Sequence, residues 1–226
     1  MKRLLSMLLA GASALTASFA AAEPARAPPD ADSSLTRLEA LALIETLNAE
    51  LLAARSATST LEKWCADHHM AEAPKIVAKR VVGAEKPASD ETRRRLSVSD
   101  GETVKCRRVA LVCGAHVLSE ADNWYVPSRL TEEMNRQLKE TETPFGKVVA
   151  ALHPFRRTFE VKLFWSPLPA GWEIGARTTE DAAAPVPPHA LIEHRALLYG
   201  EDQRPFSEVD ETYTSGVLEF ERARER

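Results

Sequence analysis

Apolar residues recur at helical spacing in the first part of the chain and at strand spacing in the rest. Leu35, Leu38, Leu41, Leu43, Ile44, Leu47, Leu51 and Leu52 follow a 3.6-residue period, which predicts an amphipathic helix over 35–55 with Ser34 as its cap. Residues 56–59 break that pattern. A second helix is predicted over 59–70, with Leu61, Trp64 and Cys65 on one side. Alternation then takes over. Residues 75–82 read as a strand, and Asp100-Gly101 is a turn signal. Residues 104–113 place Val109, Leu111 and Cys113 on one face and Arg108, Ala110 and Val112 on the other. Gly114-Ala115-His116 turns the chain into a second strand, 117–126, closed by Pro127. Leu130, Met134 and Leu138 mark a short helix whose start is favoured by Thr131 and by Glu132-Glu133. Residues 156–165 alternate again, and 190–199 with 206–213 form a hairpin around 200–202. Early helices followed by about six strands joined mainly by hairpins predict an α+β domain, an antiparallel sheet of about six strands with helices on one face.

Neither period holds at the N-terminus. Lys2 and Arg3 precede a short apolar run that exits through small residues at 17–22, the pattern of a secretory signal peptide. The reading is a cleaved signal over 1–22, a disordered linker over 23–34, a folded domain over 35–218 and a charged tail over 219–226. Within the domain, residues 166–188 are rich in Pro and Ala, and a long mobile loop is expected there. Such a chain is expected in the periplasm or secreted, with no stable membrane insertion after cleavage.

Its 226 residues suffice for one domain with a real core. The net charge of −4 gives no reason to expect a nucleic-acid partner, so none is expected. Three cysteines leave at least one thiol free. Cys106 and Cys113 are ~23 Å apart on one strand and cannot pair with each other. Cys65 with one of them is geometrically open, and burial as small hydrophobes is the favoured reading.

Few residues carry candidate chemistry. His68 and His69 point ~100° apart on a helix and cannot chelate one ion together, so no metal site is expected. The run Arg93-Arg94-Arg95 reads as a solvated face. Arg107 and Arg108, inside a strand, stand out. An arginine there can grip a carboxylate, and the small Ala110 beside Arg108 leaves room for a ligand, whereas Arg107 points to solvent or to the helices.

An ordered set of pieces resembles the chorismate lyase family, the bacterial enzymes that form 4-hydroxybenzoate and pyruvate from chorismate. The pieces are Arg108-x4-Cys113, the spacing to Pro127, Thr143-Pro144-Phe145-Gly146, Arg157-x-Phe159, and Arg195-x3-Tyr199-Gly200 leading to Pro205, covering roughly 59–213. The resemblance implies a cofactor-free carbon–oxygen lyase and a chorismate lyase-like fold. It implies Arg108 as the grip on the ligand carboxylate and Phe145 as the apolar cover of the ring, in a loop with Thr143 and Gly146. The acidic residue falls on Asp210 or Glu211, with Glu211 favoured by alternation with Val209 and Tyr213. Thr60 occupies a departed Ser-x-Thr segment. Chorismate is made in the cytoplasm, so an exported chain raises a second reading, a non-catalytic protein that binds a small aromatic carboxylate in the same pocket.

Overall fold

A computed structural model describes residues 31–83, 85–176 and 186–220. The expected signal peptide over 1–22 and most of the expected linker lie outside them, and so do 177–185 of the long loop and 221–226 of the tail. The linker expectation is corrected at its end, because the first helix, α1, already begins at Ala31 and runs to Ala53.

Ile44, Leu47 and Leu51 of α1 are buried in the main core, each contributing ~1.5–3 kcal/mol by leaving water. Helix α2 (Ala57–Asp67) starts earlier than the apolar pattern suggested, since Ser56 caps it by accepting from the backbone N–H of Ser59. The helices α4 (Glu132–Glu140), capped by Thr131 as expected, and α5 (Phe145–Val148) complete this layer.

Six strands form one antiparallel sheet in the order β1-β2-β3-β6-β5-β4. They are β1 (Ile76–Arg80), β2 (Lys105–Cys113), β3 (His116–Tyr125), β4 (Phe155–Leu163), β5 (Ala190–Tyr199) and β6 (Pro205–Thr214). The α+β class is therefore the one expected. Gly114 makes the β2–β3 hairpin at φ 57°, and a Cβ there would lie 2.9 Å from that of Ala71. Cys113 is bonded to Cys65, with Cα atoms 6.3 Å apart, which ties α2 to β2 and replaces the favoured reading of both as unpaired buried thiols. Cys106 is a free thiol.

One helix departs from the single-face layout. Helix α3 (Asp90–Arg95) lies against the other face of the sheet, over a small apolar cluster of Leu96, Trp124, Val126 and Leu197. Arg94 is exposed as expected, but Arg93 and Arg95 are not solvated. Arg95 forks onto Glu208, which is fully buried, through Nε–Oε2 at 2.8 Å and Nη2–Oε1 at 2.7 Å. Arg93 donates to the carbonyls of Ser99 and Glu102. The apolar period of two was blind to this clamp because its members are charged.

Residues 166–176, the described start of the long loop, include Pro167, whose carbonyl accepts from Arg37 of α1 at 3.1 Å. At the other end of the domain Phe220 packs on His68, ring centroids 4.3 Å apart.

Candidate functional site

Between the helical layer and the sheet lies a narrow cleft of about 50 Å³ that opens to solvent. Its floor is apolar, with Val109 and Leu111 from β2, Ala121 from β3, Val209 from β6 and Leu198 from β5. Its roof is residues 55–58, ahead of and inside the first turn of α2, with Phe145 and Gly146 of α5. These two roof pieces touch closely. A Cβ on Gly146 would sit 3.0 Å from Ser56 Oγ and 3.1 Å from Thr58 Oγ1, so glycine is what lets the loop approach.

Arg107 reaches this cleft from β2, and it is 4% exposed. Its Nη2 donates to the carbonyls of Thr141 and Thr143, both at 3.1 Å, while Nε and Nη1 are buried with no partner. No carboxylate pairs with it among the described residues. Burial, with the nearby charge of Arg80, draws its guanidinium down to about 10. A buried cation whose neighbours supply only carbonyl oxygens is costly unless something anionic joins it.

The far wall holds a second cation that is already paired. Arg156 of β4 donates through Nη1 to Glu211 Oε2 at 2.6 Å, and Tyr213 Oη donates to the same oxygen at 3.1 Å. Arg156 Nη2 is buried without a partner. Burial, then the charge of Glu211, pushes the Tyr213 phenol well up, so it serves as a neutral donor. Behind the pair stands His194, fully buried, its Nε2 against Asn48 Oδ1 of α1 at 2.8 Å. Burial and Arg156 hold its imidazole down to about 4, so it is neutral. With Arg55 at the roof, the cleft is lined by three guanidinium groups and one carboxylate.

The residues expected from sequence separate into two groups. Glu211, Phe145 and Gly146 line the cleft, and Thr143 lends its carbonyl to Arg107. Arg108 does not line it. It sits on the opposite face, where its Nη1 donates to Asp122 Oδ2 at 2.8 Å. The alternation was right and the choice of face was inverted, because Val109 and Leu111, the apolar partners of Arg107, face the helices. Asp210 is also on the far face, opposite Asp122 and 4.0 Å from Arg195. Burial and Glu193 raise its carboxyl to about 6. Thr60 is turned into its own helix, its hydroxyl 3.3 Å from the Ser56 carbonyl. Sequence reasoning missed Arg156, Ser56 and Thr58. The signal for Arg156 was weak, since it is one of two adjacent arginines at a strand start. Among the described residues no group of three or more His, Cys, Asp or Glu is placed to hold a metal ion.

No family model matches the chain. It is 48% identical over 188 residues to the uncharacterized protein y4mC of Sinorhizobium fredii, covering 82% of this chain and 79% of that one. Solved structures resemble it at fold level. PhnF of Mycobacterium smegmatis matches with 13% identity and a TM-score of 0.46, over 77% of this chain and 70% of that chain. YydK of Bacillus subtilis, titled a possible transcriptional regulator, matches with 14% identity and a TM-score of 0.41, over 66% of this chain and 62% of that one. The match thus spans under two thirds of YydK. Others are titled transcriptional regulators of the GntR family.

Two expectations are corrected by these neighbours. Nucleic acid was excluded on net charge, and a periplasmic or secreted location was read from the N-terminus. The neighbours are titled transcriptional regulators, and neither the exclusion nor the exported location is kept. No described helix is long and apolar enough to cross a membrane.

Proposed function

The chain belongs to the family of the uncharacterized protein y4mC, and from that premise we propose that its domain is a binding module for a small organic anion held in the Arg107 cleft. The observation that carries this reading is Arg107 itself, a guanidinium with two buried nitrogens unpartnered and no acid paired with it among the described residues. A carboxylate supplies the missing charge and acceptors, and charge-assisted bonds to a desolvated arginine are among the stronger polar contacts. Val109, Leu111, Val209 and Phe145 supply an apolar bed for the rest of the ligand. An aromatic carboxylate combines the two features.

Turnover is not part of this proposal. The resemblance to chorismate lyases casts Glu211 as the acidic group, and both donors that reach it, Arg156 and Tyr213, converge on one oxygen. That arrangement is the anchor of a wall, and the binding reading uses it as such. Arg108 and Thr60, which the resemblance assigned to the ligand, are replaced in the proposal by Arg107 and by Ser56 and Thr58 at the roof.

The test is a thermal-shift series with matched pairs of compounds, benzoates and their methyl esters or amides. Carboxylates are expected to raise the melting temperature while the neutral partners leave it unchanged. Equal shifts from acids and esters contradict an anion site.

A further inference from the structure

Strand β4 forms one edge of the sheet, hydrogen-bonded to β5 on one side and to no strand on the other among the described residues. Native edges are commonly protected by charge or by a covering element. Here the end of the edge is apolar on one face, with Val161 43% and Leu163 45% exposed, and the following Phe164 is 40% exposed on the other. The only charges at its regular end are Glu160 and Lys162, which flank Val161 symmetrically and share one face of the sheet through their partners Arg195 and Glu193.

That symmetry selects a partner. A two-fold axis normal to the sheet sets two copies of β4 antiparallel and brings residues of equal distance from the axis opposite each other. Centred on Glu160 it opposes two glutamates, and centred on Lys162 it opposes two lysines, both unfavourable. Centred on Val161 it sets each Glu160 against Lys162 of the second copy, with the two valines meeting at the axis. The Lys162 ammonium lies over the Phe164 ring at 4.6 Å and is paired with no carboxylate among the described residues. Glu160 accepts from Arg195 at 2.9 Å through Oε2 alone, which leaves its other oxygen for a second cation. The register irregularity between Thr158 and Glu160 turns Phe159 aside, under the guanidinium groups of Arg95 and Arg195, so regular pairing begins at Glu160.

We propose that two copies of this chain associate through β4, antiparallel and centred on Val161, joining their sheets into one. The test is sedimentation equilibrium of the full chain over a concentration series, for wild type, K162E, the double variant E160K/K162E and V161K, with far-UV circular dichroism to confirm folding. The wild type is expected to dimerise. K162E places glutamates opposite each other and is expected to weaken the dimer about tenfold or more, the double variant to restore it to within about threefold, and V161K to be a folded monomer. A wild type that remains monomeric throughout overturns the proposal. So does a dimer indifferent to K162E and V161K, and so does a folded double variant that is not restored.

Discussion

Arg107 and Arg108 are neighbours in sequence and are separated by the whole thickness of the sheet in function. Arg107 enters the cleft under the helices, with Nε and Nη1 unpartnered, whereas Arg108 is bonded to Asp122 on the other face. The two are opposite in energetic character. Arg107 costs the fold stability because its charge is desolvated with no counter-ion among the described residues. Arg107→Met, which keeps the apolar stem, is expected to raise the melting temperature by a few degrees, at ~1–2 kcal/mol and 2–4 °C per kcal/mol. Arg108→Ala leaves Asp122 its second cation, Lys86 at 2.6 Å, and is expected to cost ~1 kcal/mol or less. Thermal melts of both variants check this, and a large loss for Arg107→Met rejects it.

Glu208 is the opposite case, a fully buried carboxylate whose partners are built in. Arg95 takes both of its oxygens and Thr92 donates to it at 3.3 Å. Glu208→Ala leaves Arg95 with Glu91 and Arg195 with Glu160, so neither cation is stranded, but the buried bonds are lost. It is expected to destabilise by ~1–3 kcal/mol, and α3 is expected to loosen from the sheet. Denaturant unfolding measures the loss, and faster amide exchange over residues 90–96 reports the loosening. A change under ~1 kcal/mol contradicts the clamp.

The pH dependence has two contributions of opposite sign. His194 is held down to about 4 in the fold, against an ordinary 6.5, so its contribution is full above pH 6.5 and is lost as pH falls through that window. The loss approaches ~3 kcal/mol at the low end. Asp210 is raised to about 6 from 3.8, so its contribution is present below 3.8 and is lost as pH rises through 6. Unfolding midpoints from pH 4 to 8 should therefore fall less steeply on acidification in His194→Gln than in wild type. In Asp210→Asn they should fall more steeply. Parallel curves for all three proteins reject both assignments.

The Cys65–Cys113 bond closes a span of 48 residues and fastens α2 beneath the sheet. Its loss through Cys65→Ala with Cys113→Ala is expected to cost ~2–4 kcal/mol. Peptide mapping without reductant should recover residues 65 and 113 in one linked species, with Cys106 alkylated as the free thiol. Alkylation of all three in native protein contradicts the pairing.

The antiparallel sheet was legible because β2 alternates over most of its length and because Gly114 and the 200–204 turn separate the strands cleanly, whereas β3 and β6 are buried along nearly their whole length. Helix α4 was legible from Thr131 and three spaced apolar residues. What alternation cannot supply is the identity of the buried face when both faces carry apolar residues. Val109 and Leu111 point one way and Ala110 and Val112 the other, and the small Ala110 mimics ligand space. The bulge between Leu111 and Val112, which buries consecutive residues, blurs the contrast further. The ion pair of Arg156 with Glu211 joins strands 55 residues apart, and the Arg95–Glu208 clamp joins elements 113 apart. Single-sequence periodicity holds no information about such pairs, since each member alone looks like a surface charge.

The central claim is that Arg107 supplies the unmet charge for an anionic ligand. Calorimetric titration of benzoate-type carboxylates into wild type, Arg107→Met and Arg108→Ala tests it most directly. Breaking a buried, hydrogen-bonded charge pair from one side typically costs ~2–5 kcal/mol, about thirty-fold or more in affinity. The account predicts such a loss for Arg107→Met in a protein that melts no lower than wild type, and binding within about threefold of wild type for Arg108→Ala. Undiminished binding by Arg107→Met, or loss confined to Arg108→Ala, contradicts it.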